Sequence, residues 1–332
     1  MRIAVDALGG DHAPGEIVTG AIAAVRERGL KLSLVGPENE LRVLLNQAGM
    51  SADIEIIPAN EVINNQDAPV IALRRKPNST LVVGAKLVRD GKANAFVSAG
   101  STGAFMAAGL LITGRIPHVE RPALAPLLPT VKGSGVVLLD VGATMDAKAE
   151  NLAQFGLMGS IYADRVLGKV KPRVALLNVG SEEGKGNQVV KDAFPLLNAS
   201  GINFVGNMEA RSLLSGEFDV VVCDGFTGNV VLKMMEGVTG TMLELMREAF
   251  ADDYRSKAGA FLLRPKLRQL KRRFDYAEHG GAMLLGINGV FVKCHGSSKA
   301  LAIKNGIFQA EKFISQEVIK KISGVAGQLM PN

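Results

Sequence analysis

Residues 97–109 read VSAGSTGAFMAAG, and residues 220–232 read VVVCDGFTGNVVL. Each begins as a short apolar run of strand character, breaks at Gly and Thr, and resumes with apolar residues suited to a helix. A strand that hands over to a helix through a Thr-Gly turn is the joint of a βα unit. The pattern extends outward from both. Strand patterns at Arg2–Val5, Leu32–Val35, Ile54–Ile57, Val136–Asp140, Arg173–Leu177, Asn203–Val205 and Asp219–Cys223 are separated by helical sequence, as at Glu38–Gln47, Ser79–Arg89 and Lys148–Leu167. This alternation predicts an α/β fold, a largely parallel sheet with helices on both faces. The prolines of Arg121–Pro129 suit an edge or crossover segment.

With 332 residues the chain can form one large, two-lobed α/β domain over 1–332. Hydrophobic residues make up 47% and aromatics only 5%, with no Trp, so the apolar material is the Ala, Val, Leu and Ile of helices packed on parallel strands. A net charge of +6 favours anionic partners. Cys223 and Cys294 are the only cysteines, which excludes a disulfide framework or a zinc ribbon and predicts two buried, reduced thiols. Asn94–Gly114 carries no charge and is long enough to span a bilayer, but its Gly/Ser/Thr break predicts a buried strand and helix instead. With no signal-peptide profile at the start, a cytoplasmic location is expected. From Leu232 the rhythm changes. A helix over Leu232–Phe250, an apolar Ser256–Leu263 and a basic Arg264–Phe274 predict a protruding helical hairpin over 232–275. The chain then returns through Gly280–Gly286, a strand near Val290–Lys293 and a closing helix after Gly306.

In open α/β sheets, ligands bind beyond the carboxyl ends of the strands, where helices begin. Four loops occupy that position: Asp6–His12, Ser98–Gly103, Asn178–Asn187 and Asp224–Asn229. Their glycines let backbone N–H groups approach an anion, and the helix dipole adds partial positive charge. Thr102 and Thr227 add hydroxyls and Lys185 a full charge. Other chemistries fail on spacing. No loop supplies G-x-G-x-x-G, and Gly180–Lys185 falls one residue short of a Walker A motif and lacks the following Ser/Thr. The histidines, His12, His118, His279 and His295, show no metal-ligand spacing, so neither metal nor cofactor is expected. Without a G-x-S-x-G elbow or a cysteine at a helix start, a covalent acyl-enzyme is unsupported. Direct transfer involving a phosphate-like anion remains.

The segments DALGGDHAP, SAGSTGA, RPALAPLLPT, LLDVGA, LLNVGSEEGKGN, DGFTGNVVLK and HGSS, in this order over nearly the whole chain, resemble the bacterial phosphate acyltransferase family of phospholipid synthesis (acyl-ACP:phosphate transacylase, PlsX). The resemblance implies a fold similar to the isocitrate/isopropylmalate dehydrogenase and phosphotransacetylase group. It implies conversion of long-chain acyl-ACP (acyl carrier protein) and inorganic phosphate to acyl phosphate and free ACP, by a homodimer and without nucleic acid. On this reading Lys185 and His12 hold phosphate charge, Asn229 orients substrate or the oxyanion, Asp224 manages a proton and Lys233 adds charge. Gly9, Gly10, Asp11, Gly100, Ser101, Thr102, Gly103, Gly186, Asn187, Thr227, Gly228 and His295 line the phosphate and substrate seat. Ser101 and Thr144 stand where the family has Asn, with shorter polar reach. In the hairpin, Phe261, Leu262 and Leu263 form an apolar tip flanked by Arg264, Lys266, Arg268, Lys271, Arg272 and Arg273, which suits peripheral contact with an anionic membrane. The same basic face also suits acidic ACP or a dimer contact. The rival readings are a CoA-dependent phosphotransacetylase, a non-catalytic membrane scaffold for lipid enzymes and a nicotinamide dehydrogenase.

Overall fold

The computed structural model describes residues 1–50, 54–274 and 280–327. Its first elements are β1 (Arg2–Asp6), α1 (Gly15–Arg28), β2 (Lys31–Gly36), α2 (Glu38–Gln47), β3 (Ile54–Pro58), α3 (Pro69–Arg75), α4 (Thr80–Arg89), β4 (Ala95–Ser98) and α5 (Thr102–Ala108). There follow β5 (Ala123–Ala125), β6 (Leu127–Leu128), β7 (Val136–Leu139), α6 (Ala149–Leu167), β8 (Val174–Asn178), α7 (Gln188–Ala199), β9 (Phe204–Glu209) and β10 (Val220–Val222). The last are α8 (Gly225–Ala251), α9 (Tyr254–Phe274), β11 (Ala282–Leu285), β12 (Val290–Lys293), α10 (Ala300–Ser315) and α11 (Val318–Ala326).

The strands form two sheets, ordered β3-β2-β1-β4-β12-β11-β5 and β6-β7-β10-β8-β9. Pairing is parallel except where β11 meets β12 and β5, and where β6 meets β7. The Arg121–Pro129 segment is the link between the sheets. Its β5 closes one sheet and its β6 opens the other, with Pro126 between them. Every residue of β4, β7 and β10 is buried, because helices cover both faces of a parallel sheet. On one face Phe96, Phe105 and Phe291 meet with ring centroids 5.4–5.9 Å apart. Elsewhere Tyr162 packs edge-on to Phe313 at 4.7 Å. Asn94–Gly114 is β4 and α5, as its break implies, and no helix among the described residues is long and apolar enough to cross a membrane.

Three sequence expectations shift. The closing helix starts at Ala300, and Gly306 lies inside it, where a Cβ would sit 2.7 Å from Cys294 Sγ. Glycine there serves close packing on β12, not a helix start. The hairpin turns at Asp252-Asp253, and α9 runs without interruption through Ala258–Leu263. Those residues form its second and third turns, not a tip, because the helix preference of Ala258, Ala260, Leu262 and Leu263 outweighs the cost of Gly259. Finally, α3 was not expected; it opens on Pro69, whose fixed φ suits a first helical position.

Candidate active site

The carboxyl ends of β1, β4 and β12 lie side by side in the first sheet. Ser98 Oγ donates to Asp6 Oδ2 at 2.6 Å, and Gly100 N–H donates to Ser98 Oγ at 3.0 Å. Burial pushes the Asp6 carboxyl up, against the opposing pull of its hydrogen bonds to Ser98, Thr80 and the backbone. The loop above is drawn tight. Asp11 N–H donates to Gly296 O at 2.8 Å, joining the loop after β1 to the one after β12. Gly10 adopts φ +107°, and a Cβ there would lie 3.0 Å from both Ala99 Cβ and Gly296 O. Only glycine combines that conformation with that approach. Gly9, Gly10, Asp11, Gly100, Ser101, Thr102 and Gly103 are thereby gathered with the His295 loop into one cluster. Gly9 and Ser101 are buried, whereas Asp11, His12 and Thr102 are exposed. His295 Nδ1 lies 2.9 Å from Ser297 Oγ and accepts from Ser297 N–H at 3.2 Å, which leaves the proton of a neutral ring on Nε2. Partial desolvation lowers its pKa.

In the second sheet the loops after β7, β10 and β8 adjoin. Asp224 caps α8. Its Oδ1 accepts from Thr227 N–H at 2.8 Å and its Oδ2 from Thr227 Oγ1 at 2.7 Å. Both oxygens therefore serve the turn, as does the Thr227 hydroxyl. The α8 start rests on Asp140, where a Cβ at Gly228 would fall 1.8 Å from Asp140 O. Asn229, one turn into α8, has no side-chain hydrogen-bond partner among the described residues. One turn further, Lys233 Nζ pairs with Glu236 at 2.8 Å. The charges of Lys233 and Glu236 act on His295, and that of Lys233 acts on Lys293. In the third loop, Asn178 Nδ2 donates to Lys185 O at 3.0 Å, and Gly186 takes φ +97°. Asn187 caps α7 through Val190 N–H at 3.0 Å. Lys185 is exposed and has no ion-pair partner among the described residues.

The family model described as "Fatty acid synthesis protein" matches residues 1–321. A phosphate acyltransferase of an Exiguobacterium species is 52% identical over 326 residues, covering 97% of this chain and 98% of the relative. One from Heliobacterium modesticaldum is 49% identical over 334 residues, covering 100% and 99%. The chain belongs to the phosphate acyltransferase family. Solved structures agree at the level of fold. A phosphotransacetylase from Streptococcus pyogenes superposes with a TM-score of 0.64 at 20% identity, over 95% of this chain and 94% of that one. A branched-chain phosphotransacylase from Enterococcus faecalis gives 0.60 at 14% identity, over 94% and 98%.

The loops at the carboxyl ends of both sheets thus present backbone N–H groups, polar side chains and the exposed cation of Lys185. No group of three or more His, Cys, Asp or Glu among the described residues could hold a metal ion. Both cysteines are buried and their thiols pushed up by desolvation, Cys294 to about 12, so neither is a ready nucleophile.

Sequence reasoning missed the residues underneath. Asp140 is fully buried. Its Oδ1 accepts from Leu124, Gly142 and Ala143 N–H at 2.7, 3.2 and 3.1 Å, and its Oδ2 from Thr144 N–H at 2.6 Å. Burial outweighs these bonds and raises its pKa to about 6. Thr144 turns its hydroxyl to Pro122 O at 3.0 Å, so the residue that departs from the family pattern holds the loop from within. Lys293 is the other omission. It is 7% exposed, donates to Cys294 O, and has its pKa lowered to about 8 by burial. The signal was a lysine ending an otherwise apolar strand, with only Cys294 between it and HGSS.

On α9 Phe261, Leu262, Leu263 and Lys266 are exposed. The side chains of Lys271, Arg272 and Arg273, and all of His279, lie outside the described residues.

Proposed function

We propose that the protein transfers a long-chain acyl group from ACP directly to inorganic phosphate. A phosphate oxygen attacks the thioester carbonyl carbon, a tetrahedral oxyanion forms, and the C–S bond breaks to release the ACP thiol and an acyl phosphate. The observation that carries the reading is the gathering of the glycine loops after β1 and β4 with the His295 loop at one end of the first sheet, where the charges of Lys233 and Glu236 on α8 also act on His295. Backbone donors of Gly9–Asp11 and Gly100–Gly103 hold one anion. Lys185, Gly186 and Asn187 meet substrate from the second sheet. Exposed His12 and His295 border the space, and Asn229 is free to orient the carbonyl. Asp224 acts chiefly by holding Thr227 and the α8 N-terminus in place. A thiol of pKa about 8.5 leaves readily, so positioning and electrostatics carry the rate.

The test is release of ACP from a long-chain acyl-ACP. It requires inorganic phosphate and yields a product that hydroxylamine traps. Equal release without phosphate identifies a thioesterase and ends the proposal. Faster turnover of acetyl-CoA than of palmitoyl-ACP moves the chain to the CoA-dependent phosphotransacetylases, whose fold it shares.

Two surfaces support the partners that the family implies. Phe226, Val230, Met234, Val238, Met242 and Leu245 leave an exposed apolar stripe along α8, which suits a second copy of the chain. On α9, exposed Phe261 and Leu262 among Arg264, Lys266 and Arg268 suit shallow insertion into an anionic bilayer. Phe261→Asp with Leu262→Asp abolishes sedimentation with phosphatidylglycerol vesicles while acyl-ACP turnover in solution persists. Wild-type protein that ignores such vesicles at low salt removes the membrane role.

A further inference from the structure

Three lysines stand near the candidate site, and two are accounted for in solvent. Lys185 is exposed on its loop, and Lys233 is paired with Glu236 on the surface of α8. Lys293 differs. It pairs in parallel register with Ser98, and Val5 pairs with Val97, so one step on Asp6, Ser98 and Lys293 form a row across the ends of β1, β4 and β12. Residues in one row of a parallel sheet share a face. All three are at least nine-tenths buried, directly beneath the Gly9–Gly10, Ala99–Gly103 and His295–Ser298 loops.

An ammonium carries three donors. Among the described residues the only acceptor bonded to Lys293 is Cys294 O, and it forms no ion pair. Asp6 is bonded to Ser98 and Leu8 instead. A buried cation without a carboxylate partner is costly and is retained where an anion completes it. A second unmatched group lies on the same loop: Ser298 is 1% exposed, and its Oγ has no hydrogen-bond partner among the described residues. Two buried, under-satisfied polar groups thus flank the His295–Ser297 turn, which is bonded in turn to the Asp11 loop.

We infer that Lys293 is a phosphate-binding residue, its ammonium meeting the inorganic phosphate that the glycine loops hold. The inference rests on the phosphate-transfer reading above. The titratable groups that act on Lys293 are neighbouring Cys294, whose thiol stays neutral in this range, Asp6 on β1, Asp11 on the following loop and Lys233 on α8; the carboxylates favour its charged form and Lys233 opposes it. Burial dominates, so the free lysine loses its proton near pH 8. Phosphate binding then weakens as pH rises through that range. An arginine stays charged throughout.

The experiment measures kcat and KM for phosphate and for long-chain acyl-ACP, from pH 6.5 to 9.5, in wild type, Lys293→Met and Lys293→Arg. Circular dichroism checks the fold of each. Lys293→Met is expected to raise the KM for phosphate about ten- to a hundredfold, as loss of a charge-assisted contact implies, while KM for acyl-ACP stays within about twofold. In Lys293→Arg the alkaline rise in phosphate KM disappears, which a merely structural lysine would not produce. A folded Lys293→Met with unchanged phosphate KM overturns the inference, as does an alkaline rise that persists in Lys293→Arg. Should the methionine variant not fold, the arginine profile decides alone. Phosphate-independent release by wild type refutes the transfer reading itself, an outcome read before either variant is compared.

Discussion

Replacing Gly228 by Ala tests how the fold fixes the site. The added Cβ would stand 1.8 Å from Asp140 O and 2.8 Å from Cys223 Sγ. Carbon and carbonyl oxygen approach to about 3.3 Å at the closest, so relief requires a shift of about 1.5 Å. The acceptor is backbone and cannot swing aside. Asp140 N–H is bonded to Cys223 O at 3.0 Å, and its carboxylate holds four further N–H groups. The helix must move instead, taking Asp224, Thr227 and Asn229 with it. Overpacking of this kind costs about 1–3 kcal/mol, and with no flexible atom to yield, the upper end applies. That lowers Tm by on the order of 5 °C in a protein of this size. Turnover should fall at least about a hundredfold, since a displacement of about 1 Å in a positioning element has that effect. Gly237→Ala is the control. It lies on the same helix with nothing within 4 Å of its Cβ position, and gains up to about 1 kcal/mol of helix propensity. Thermal unfolding by circular dichroism and phosphate-dependent ACP release report both effects. Gly228→Ala with wild-type Tm and turnover refutes the packing argument; equal damage from Gly237→Ala means that α8 is sensitive for another reason.

The remaining predictions separate structural from chemical roles. Asp224→Ala costs about 1 kcal/mol of stability and Asp224→Asn less, as for other helix caps; turnover of Asp224→Asn within severalfold of wild type marks a cap, and a hundredfold loss at unchanged Tm marks a proton carrier. Asp140 has a folded pKa of about 6 against an ordinary 3.8, so the folded state binds more protons in that window and its contribution to stability is lost as pH rises through 6. Wild type should therefore gain about 1–1.5 kcal/mol relative to Asp140→Asn between pH 7.5 and pH 5; urea unfolding that shows no change, or the opposite sign, contradicts the desolvation argument. Cys223→Ala combined with Cys294→Ala should retain substantial turnover, because desolvation keeps both thiols protonated at neutral pH; a folded double variant with a hundredfold loss would restore a nucleophilic cysteine to consideration.

The βα joints at residues 97–109 and 220–232 were legible because parallel strands buried on both faces are written as continuous apolar runs, and the Gly/Thr breaks mark their carboxyl ends. The crossover at Arg121–Pro129 was legible from its prolines. Pairing between strands was not. β12 lies between β4 and β11, and nothing local to Val290–Lys293 says that its neighbour comes from the first third of the chain. The same limit explains the hairpin: Ala258–Leu263 has the composition of an apolar tip, but the turn is set by Asp252-Asp253, where α8 ends. It governs the site most of all. A sequence shows which residues carry charge, and loop composition led to Lys185 and Lys233, lysines in or beside polar, glycine-containing motifs. Burial decides what a charge does, and burial is imposed by segments distant along the chain. The loops after β1 and β4 close over the end of β12, and they turn an ordinary strand-terminal lysine into a desolvated cation with donors to spare. The lysines that the motifs pointed to remain in solvent, where an ion pair such as Lys233–Glu236 contributes little. The one that the motifs passed over sits where an anion would be held most firmly.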